Sequence, residues 1–298
     1  MKIKEYLAEQ RAVVEEAMDA FMLAVEEPFT KHIEAMRYSL FAGGKRIRPI
    51  LCLAAGNAID DSPEMTEKLL SICVALECIH TYSLIHDDLP AMDDDHLRRG
   101  KPTNHILYGE AGAILAGDGL LTYAFDLLSK PDICTINATA RLRIISLIAQ
   151  AAGSIGMVGG QSLDMINENK EYPIETLQTI HRHKTGSLIT CSVLTGAVGA
   201  GADEKQIEAL QQYGDNIGLA FQIVDDLLDA TSTTEQLGKE AGSDAERGKA
   251  TYPAFYGIEK TRQLAQEAVE RSTRALSGFD DKAEPLRALA TYIYTRSH

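Results

Sequence analysis

Cysteine pairs are missing from this 298-residue chain: its five cysteines (Cys52, Cys73, Cys78, Cys134, Cys191) are odd in number, lie in apolar stretches and form no Cys-x-x-Cys. Buried free thiols in a reducing compartment are expected. Basic residues are scarce too, 29 Lys and Arg against 43 Asp and Glu, for a net charge of −14. Nucleic acid is thereby disfavoured as a partner, because phosphate backbones are held by clustered cations. An anionic membrane surface is disfavoured for the same reason. An anionic ligand can be held only by local basic islands or bound metal, since the overall field repels it.

Also lacking are a Pro/Gly/Ser linker, a low-complexity tract and an internal repeat, so one domain over 1–298 is expected. The opening Met1-Lys2-Ile3-Lys4-Glu5 has neither the apolar run nor the cleavage site of a secretory signal, which makes the cytoplasm the expected compartment. Residues 144–163 and 185–202 are uncharged and long enough to span a bilayer, but Gly, Ser, Thr and Gln dilute them. They are expected as helices packed tightly inside a bundle, without stable membrane association. No G-x-x-x-x-G-K-[ST], Gly-x-Ser-x-Gly or His-Glu-x-x-His occurs, leaving Walker-type, serine-hydrolase and zinc-protease chemistry without local support.

Apolar side chains, 45% of the residues, recur at three- and four-residue spacing, as in Leu69, Ile72, Cys73, Leu76, Ile79 and in Leu210, Tyr213, Ile217, Phe221, Val224, Leu228. Period-two alternation is absent. Gly and Pro punctuation between the runs leaves about ten helices or more, an all-α bundle. One helix is predicted over 64–88 and another over 204–230.

Against this apolar background stand two carboxylate clusters, His86-Asp87-Asp88-Leu89-Pro90-Ala91-Met92-Asp93-Asp94-Asp95 and Asp225-Asp226-Leu227-Leu228-Asp229. Like charges this close repel, so their repetition on two apolar helices calls for bound cations. Oxygen-only ligand sets suit Mg²⁺, which completes its shell with water and phosphate oxygens. Asp225 and Asp229 share one helix face, with Gln222 one turn before and Asp226 turned aside. Asp87 and Asp93 would point about 240° apart on an unbroken helix. They converge only if the chain turns after Asp88, and Pro90 gives it a reason to turn.

Two basic islands accompany the carboxylates. In Gly43-Gly44-Lys45-Arg46-Ile47-Arg48-Pro49, Lys45 and Arg48 make a candidate anion pocket, with the glycines allowing close approach; a glycine helix cap with dipole-complementing cations is the simpler alternative. Arg98-Arg99-Gly100-Lys101 follows the first cluster directly. Lys184, Lys239 and Lys249 lie in glycine-containing contexts, each more ordinary alone than together. His80 is either a hydrogen-bonded core histidine or a phosphate ligand.

In order and spacing, the set Gly43-Gly44-Lys45-Arg46-Ile47-Arg48-Pro49, Asp87-Asp88-x-x-x-x-Asp93, Arg98-Arg99-Gly100, Gly159-Gly160-Gln161, Lys184-Thr185-Gly186, Phe221-Gln222 and Asp225-Asp226-x-x-Asp229 resembles the trans-isoprenyl diphosphate synthases, bacterial farnesyl diphosphate synthases above all. The resemblance runs over nearly the whole chain. It implies an all-α bundle around a central cavity, usually a homodimer, that condenses an allylic diphosphate head-to-tail with isopentenyl diphosphate. By the same resemblance Asp87, Asp88, Asp93, Asp225 and Asp229 would hold two or three Mg²⁺ ions, with Mn²⁺ as a substitute. Arg98, Lys184, Lys239 and, less directly, Lys249 would grip the allylic diphosphate. Gly44, Lys45, Arg48, His80 and Arg99 would hold isopentenyl diphosphate, and Thr185 and Gln222 would face the reacting carbon.

Tyr82 and Ser83 precede Asp87 by five and four residues. An aromatic just upstream and two extra residues within the motif accompany short products in the family, so a fifteen-carbon farnesyl product is expected, with geranyl or geranylgeranyl diphosphate as alternatives. Residues 292–298, Arg296 included, are a candidate closure over the site. A phosphohydrolase of the His-Asp type would use His86-Asp87 but leaves the second cluster unexplained. A class I terpene cyclase would need Ser or Thr at Asp229 and Glu at Thr233, and a non-catalytic prenyl-binding subunit would have no use for intact carboxylates.

Overall fold

The computed structural model describes residues 1–231 and 250–295. The chain runs α1 (Ile3–Phe21), α2 (Thr30–Leu40), α3 (Ile47–Asn57), α4 (Pro63–Asp87), a hairpin of β1 (Leu97–Arg98) and β2 (Lys101–Pro102), α5 (Asn104–Ser129), α6 (Ala138–Ala152), α7 (Met157–Asn167), α8 (Ile174–His181), a π-turn (Arg182–Gly186), α9 (Ser187–Gly199), α10 (Glu204–Thr231), α11 (Tyr252–Ala275) and α12 (Glu284–Thr295). The all-α expectation holds. The hairpin, with Leu97 opposite Pro102 and Arg98 opposite Lys101, was not foreseen, because two-residue strands are too short to show alternation.

Local chemistry sets the long helices. Ser62 caps α4 by accepting from Met65 N at 3.3 Å, with Pro63 in the first turn. Asp203 and Gln206 cap α10 reciprocally, each side chain accepting the other's backbone N–H at 2.8 and 2.9 Å. Thr251 caps α11. The predicted boundaries of α4 and α10 lie within one residue of those observed.

From Leu69 onward α4, and all of α9, are buried on nearly every side, which explains their largely apolar sequence. One core gathers α1, α2, α4, α5 and α6; a second gathers α3, α9, α10 and α12; a third links α8, α10 and α11. All five cysteines are buried and free. Helices spanning Pro63–Asp87, Asn104–Ser129 and Ala138–Asn167 are long and apolar enough to cross a membrane by length and composition. The α4 window is 72% buried within the bundle, whereas the Ala138–Asn167 window is only 33% buried and is interrupted by the turn at Gly153–Gly156.

Candidate active site

The end of α4 behaves as the proline requires. Leu89 N donates to His86 O at 3.2 Å, tightening the last turn; Met92 N and Asp94 N both return to Leu89 O, and Asp93 N reaches Asp87 O at 2.8 Å. The chain thus folds back and brings Asp93 to Asp87. Burial is the main reason the Asp87 carboxyl is pushed up to about 6; repulsion from Asp93 and Asp88 adds to it, and Lys184 and Arg98 oppose it. A divalent cation would offset this cost of ionisation, and the all-oxygen donor set fits Mg²⁺.

Arg98 extends from the hairpin onto Asp88, its Nε 2.7 and 2.9 Å from the two carboxylate oxygens. Burial pulls its pKa down but the fork to Asp88 outweighs this, and the guanidinium stays charged. Asp88 is therefore the partner of Arg98 as well as a candidate metal ligand. Arg99, in left-handed conformation at φ 55°, donates to Gly43 O. A Cβ on Gly44 would lie 2.7 Å from Arg99 Nη1, so the close approach that Gly44 permits is that of this guanidinium.

Of the first island's cations, Arg46 turns inward to Glu77 at 2.6 Å and to Leu40 O at 2.9 Å. Lys45 is exposed at the island's edge. Arg48 is half-buried, and its Nε has no hydrogen-bond partner. Burial lowers its pKa, Glu77 and Asp225 raise it, and Arg99 lowers it again. An orphaned guanidinium N–H beside a second arginine is a site for an anion. His80 lies within the same field: burial first, then Arg48, Arg99 and Arg98, depress its pKa well below the ordinary value. It is neutral at pH 7 and cannot add to the positive charge.

Lys184 and Thr185 sit in the π-turn, closed by a bond from Ser187 N to Arg182 O five residues back. Lys184 Nζ pairs with Asp164 of α7 at 2.7 Å. Burial lowers its pKa, yet Asp164, Asp87 and Asp93 together hold it above the ordinary value. The lysine thus pairs with α7 and lies within the field of the first cluster. Gly160 permits this: a Cβ there would fall 2.1 Å from Lys184 N and 2.6 Å from its Cα. Gly160→Ala is expected to displace the π-turn and lower kcat at least tenfold with a smaller change in KM, a result steady-state kinetics can check.

The second cluster lies on α10. Asp225 and Gln222 are half-buried and Asp229 is 6% exposed; Asp225 supports the charge of Arg48 across the site. Asp226, expected to turn aside, accepts from Tyr252 N at 2.8 Å, and His181 stacks on the Tyr252 ring. Tyr82 is 5% exposed and meets His86 edge-on at 5.8 Å. Ser83 donates to His80 O at 2.8 Å. His86 Nε2 lies 3.1 Å from Ile114 O and donates to it. Lys239, Lys249 and Arg296 lie outside the described residues. Sequence reasoning missed Asp164, Glu77 and Tyr252; three-residue spacing from Gln161 was the only signal for Asp164. A cavity of about 640 Å³ opens on the other side of the π-turn, between α6, α8, α9 and α10, and among the described residues none of the predicted catalytic, metal or substrate ligands lines it.

The sequence model of the polyprenyl synthetases matches residues 30–284. The chain belongs to this family. It is 45% identical to the farnesyl diphosphate synthase of Geobacillus stearothermophilus over 298 residues, covering 100% of this chain and 99% of that one. It is 49% identical to a geranylgeranyl diphosphate synthase of Cyanophora paradoxa, covering 98% and 96%. The crystal structure of an FPP/GFPP synthase from Zymomonas mobilis superposes with a TM-score of 0.86 at 38% identity, covering 98% of both chains. This polyprenyl synthetase is accordingly a prenyltransferase, and the resemblance read from its motifs stands.

Proposed function

We propose that the chain joins dimethylallyl or geranyl diphosphate head-to-tail to isopentenyl diphosphate and releases farnesyl diphosphate. The convergence of Lys184 with Asp87 and Asp93 carries this reading, since it gathers carboxylates for metal and a cation for phosphate at one point. Mg²⁺, two or three ions held by Asp87, Asp88, Asp93, Asp225 and Asp229, would neutralise the charge that develops on the departing diphosphate.

The protein's own groups do the rest. Lys184 and the part of Arg98 not engaged by Asp88 meet the allylic diphosphate, supported by Lys239 and Lys249. Lys45, Arg48 and Arg99 hold isopentenyl diphosphate, with neutral His80 as a hydrogen-bonding neighbour. The allylic C–O bond breaks with its electron pair leaving on diphosphate, the alkene forms the new C–C bond, and a proton is lost to the released diphosphate. Preorganised cations favour the ionised state. Thr185 and Gln222 line the reacting carbon, where excluding water protects the carbocation.

Purified chain given dimethylallyl and isopentenyl diphosphates is expected to yield farnesyl diphosphate with Mg²⁺ and nothing after chelation. Release of inorganic phosphate without a prenyl product would refute the proposal. The similarity to a geranylgeranyl synthase keeps a twenty-carbon product in view. Buried Tyr82, braced by His86, argues for the shorter chain. Tyr82→Ala is expected to shift the product toward twenty carbons on chromatography; an unchanged distribution would dismiss Tyr82 as the floor. We also propose a homodimer, supported by exposed Ile114 and Leu115 on α5 and Leu142 on α6; light scattering at the monomer mass would refute it.

A further inference from the structure

The hairpin bearing Arg98 and Arg99 is flanked by three side chains that the condensation leaves unused. Asp94 and His96 precede β1, and His105 stands in the first turn of α5. One carboxylate oxygen and one nitrogen from each imidazole lie within 4.8 Å of one another. His96 Nε2 is 3.9 Å from Asp94 Oδ1, and the two rings meet edge-on at 6.2 Å between centroids. Thr103 N donates to His96 O at 3.0 Å and so ties the two ends of the hairpin together.

Hydrogen bonding fixes the tautomer of His105. The Thr103 hydroxyl donates its single proton to Asp95 O at 2.8 Å. It can therefore only accept from His105 Nδ1, 3.2 Å away. The proton is assigned to Nδ1, and Nε2 is left with its lone pair. An imidazole 8% exposed, with one nitrogen anchored to an outer hydroxyl and the other left as a donor, is the arrangement of a metal-ligating histidine. Two imidazoles and one carboxylate suit Zn²⁺ or Co²⁺ and are a poor set for Mg²⁺, which takes oxygen. The exposed sides of Asp94 and His96 leave the remaining coordination position to water.

We propose that Asp94, His96 and His105 form a transition-metal site, separate from the Mg²⁺ carboxylates, that clamps the arginine hairpin to the start of α5. The inference does not depend on the condensation reaction. Full-length protein in a large excess of Mg²⁺, titrated with Co²⁺, is expected to take one ion per chain with visible d–d absorption that Zn²⁺ abolishes. His96→Ala, at an exposed position, is expected to weaken binding at least tenfold with the fold and the Mg²⁺-dependent activity retained. Thr103→Val, which removes the outer acceptor together with the bond to Asp95 O, is expected to weaken it 10–100-fold. Zn²⁺ is further expected to raise the Tm of the parent and not of His96→Ala. Absorption no stronger than that of His96→Ala, or binding that both substitutions leave unchanged, would overturn the proposal.

Discussion

Asp87→Asn is expected to make the metal-free protein more stable and the enzyme on the order of 10²–10³-fold slower. The two effects share one cause. Asp87 ionises at about 6 when folded against an ordinary value of 3.8, so the folded state binds the extra proton between those pH values. A raised carboxyl pKa favours folding at low pH, and that favour is lost as pH rises through 6. At pH 7.5 the buried charge therefore costs about 3 kcal/mol, which Asn removes. At pH 3.5 both residues are neutral and the gain disappears. Urea unfolding without divalent ions at the two pH values measures this; equal gains at both would refute it. The same titration means that the wild-type's affinity for Mg²⁺ falls as pH drops below 6, because a protonated carboxyl is a poor ligand.

Glu77→Ala is expected to be the most damaging single change outside the carboxylate clusters. Glu77 and Arg46 have side chains 2% and 1% exposed and pair at 2.6 Å. Without Glu77, the Arg46 guanidinium keeps Leu40 O and a contact to Glu15 at 3.5 Å, too little for a buried charge. A loss of about 3–5 kcal/mol is expected. Arg46 is also the left-handed residue from which α3 starts, at φ 52°, and Arg48 follows two residues on. KM for isopentenyl diphosphate should therefore rise more than kcat falls. Glu77→Gln keeps an acceptor and is expected to restore part of the stability. Denaturation midpoints of the two variants that coincide with wild-type would refute the argument.

What could be read in the sequence was whatever local spacing determines. Asp225 and Asp229 share a face because four residues nearly complete a turn, and Asp93 returns to Asp87 because Pro90 ends α4. The membership of the bundle followed from apolar periodicity in the same way. Partners chosen across the fold left no such trace. Asp164 is twenty residues from Lys184, Glu77 is thirty-one from Arg46, and Tyr252 is twenty-six from Asp226. Each of these is fixed by how helices pack, and a charged residue in an apolar run does not name its counter-ion. The division of labour among the basic residues was hidden likewise, since Arg46 and Arg48 look alike in a string, yet Arg46 pairs with Glu77 while Arg48 keeps an Nε without a hydrogen-bond partner.

The π-turn has a consequence for how this helix tolerates change. One residue more than an α-helical turn holds between Arg182 and Ser187, and a residue of α-helix subtends about 100°. Deleting any one residue there would let the backbone close into regular helix with α8 and α9 nearly in phase, and would re-aim the side chains inside the turn, Lys184 and Thr185 among them. Lys184 would then leave Asp164. Mutational libraries over 182–186 should thus accept many exchanges of side chain and almost no change of length: what is selected here is the aim of the turn, held by counting residues.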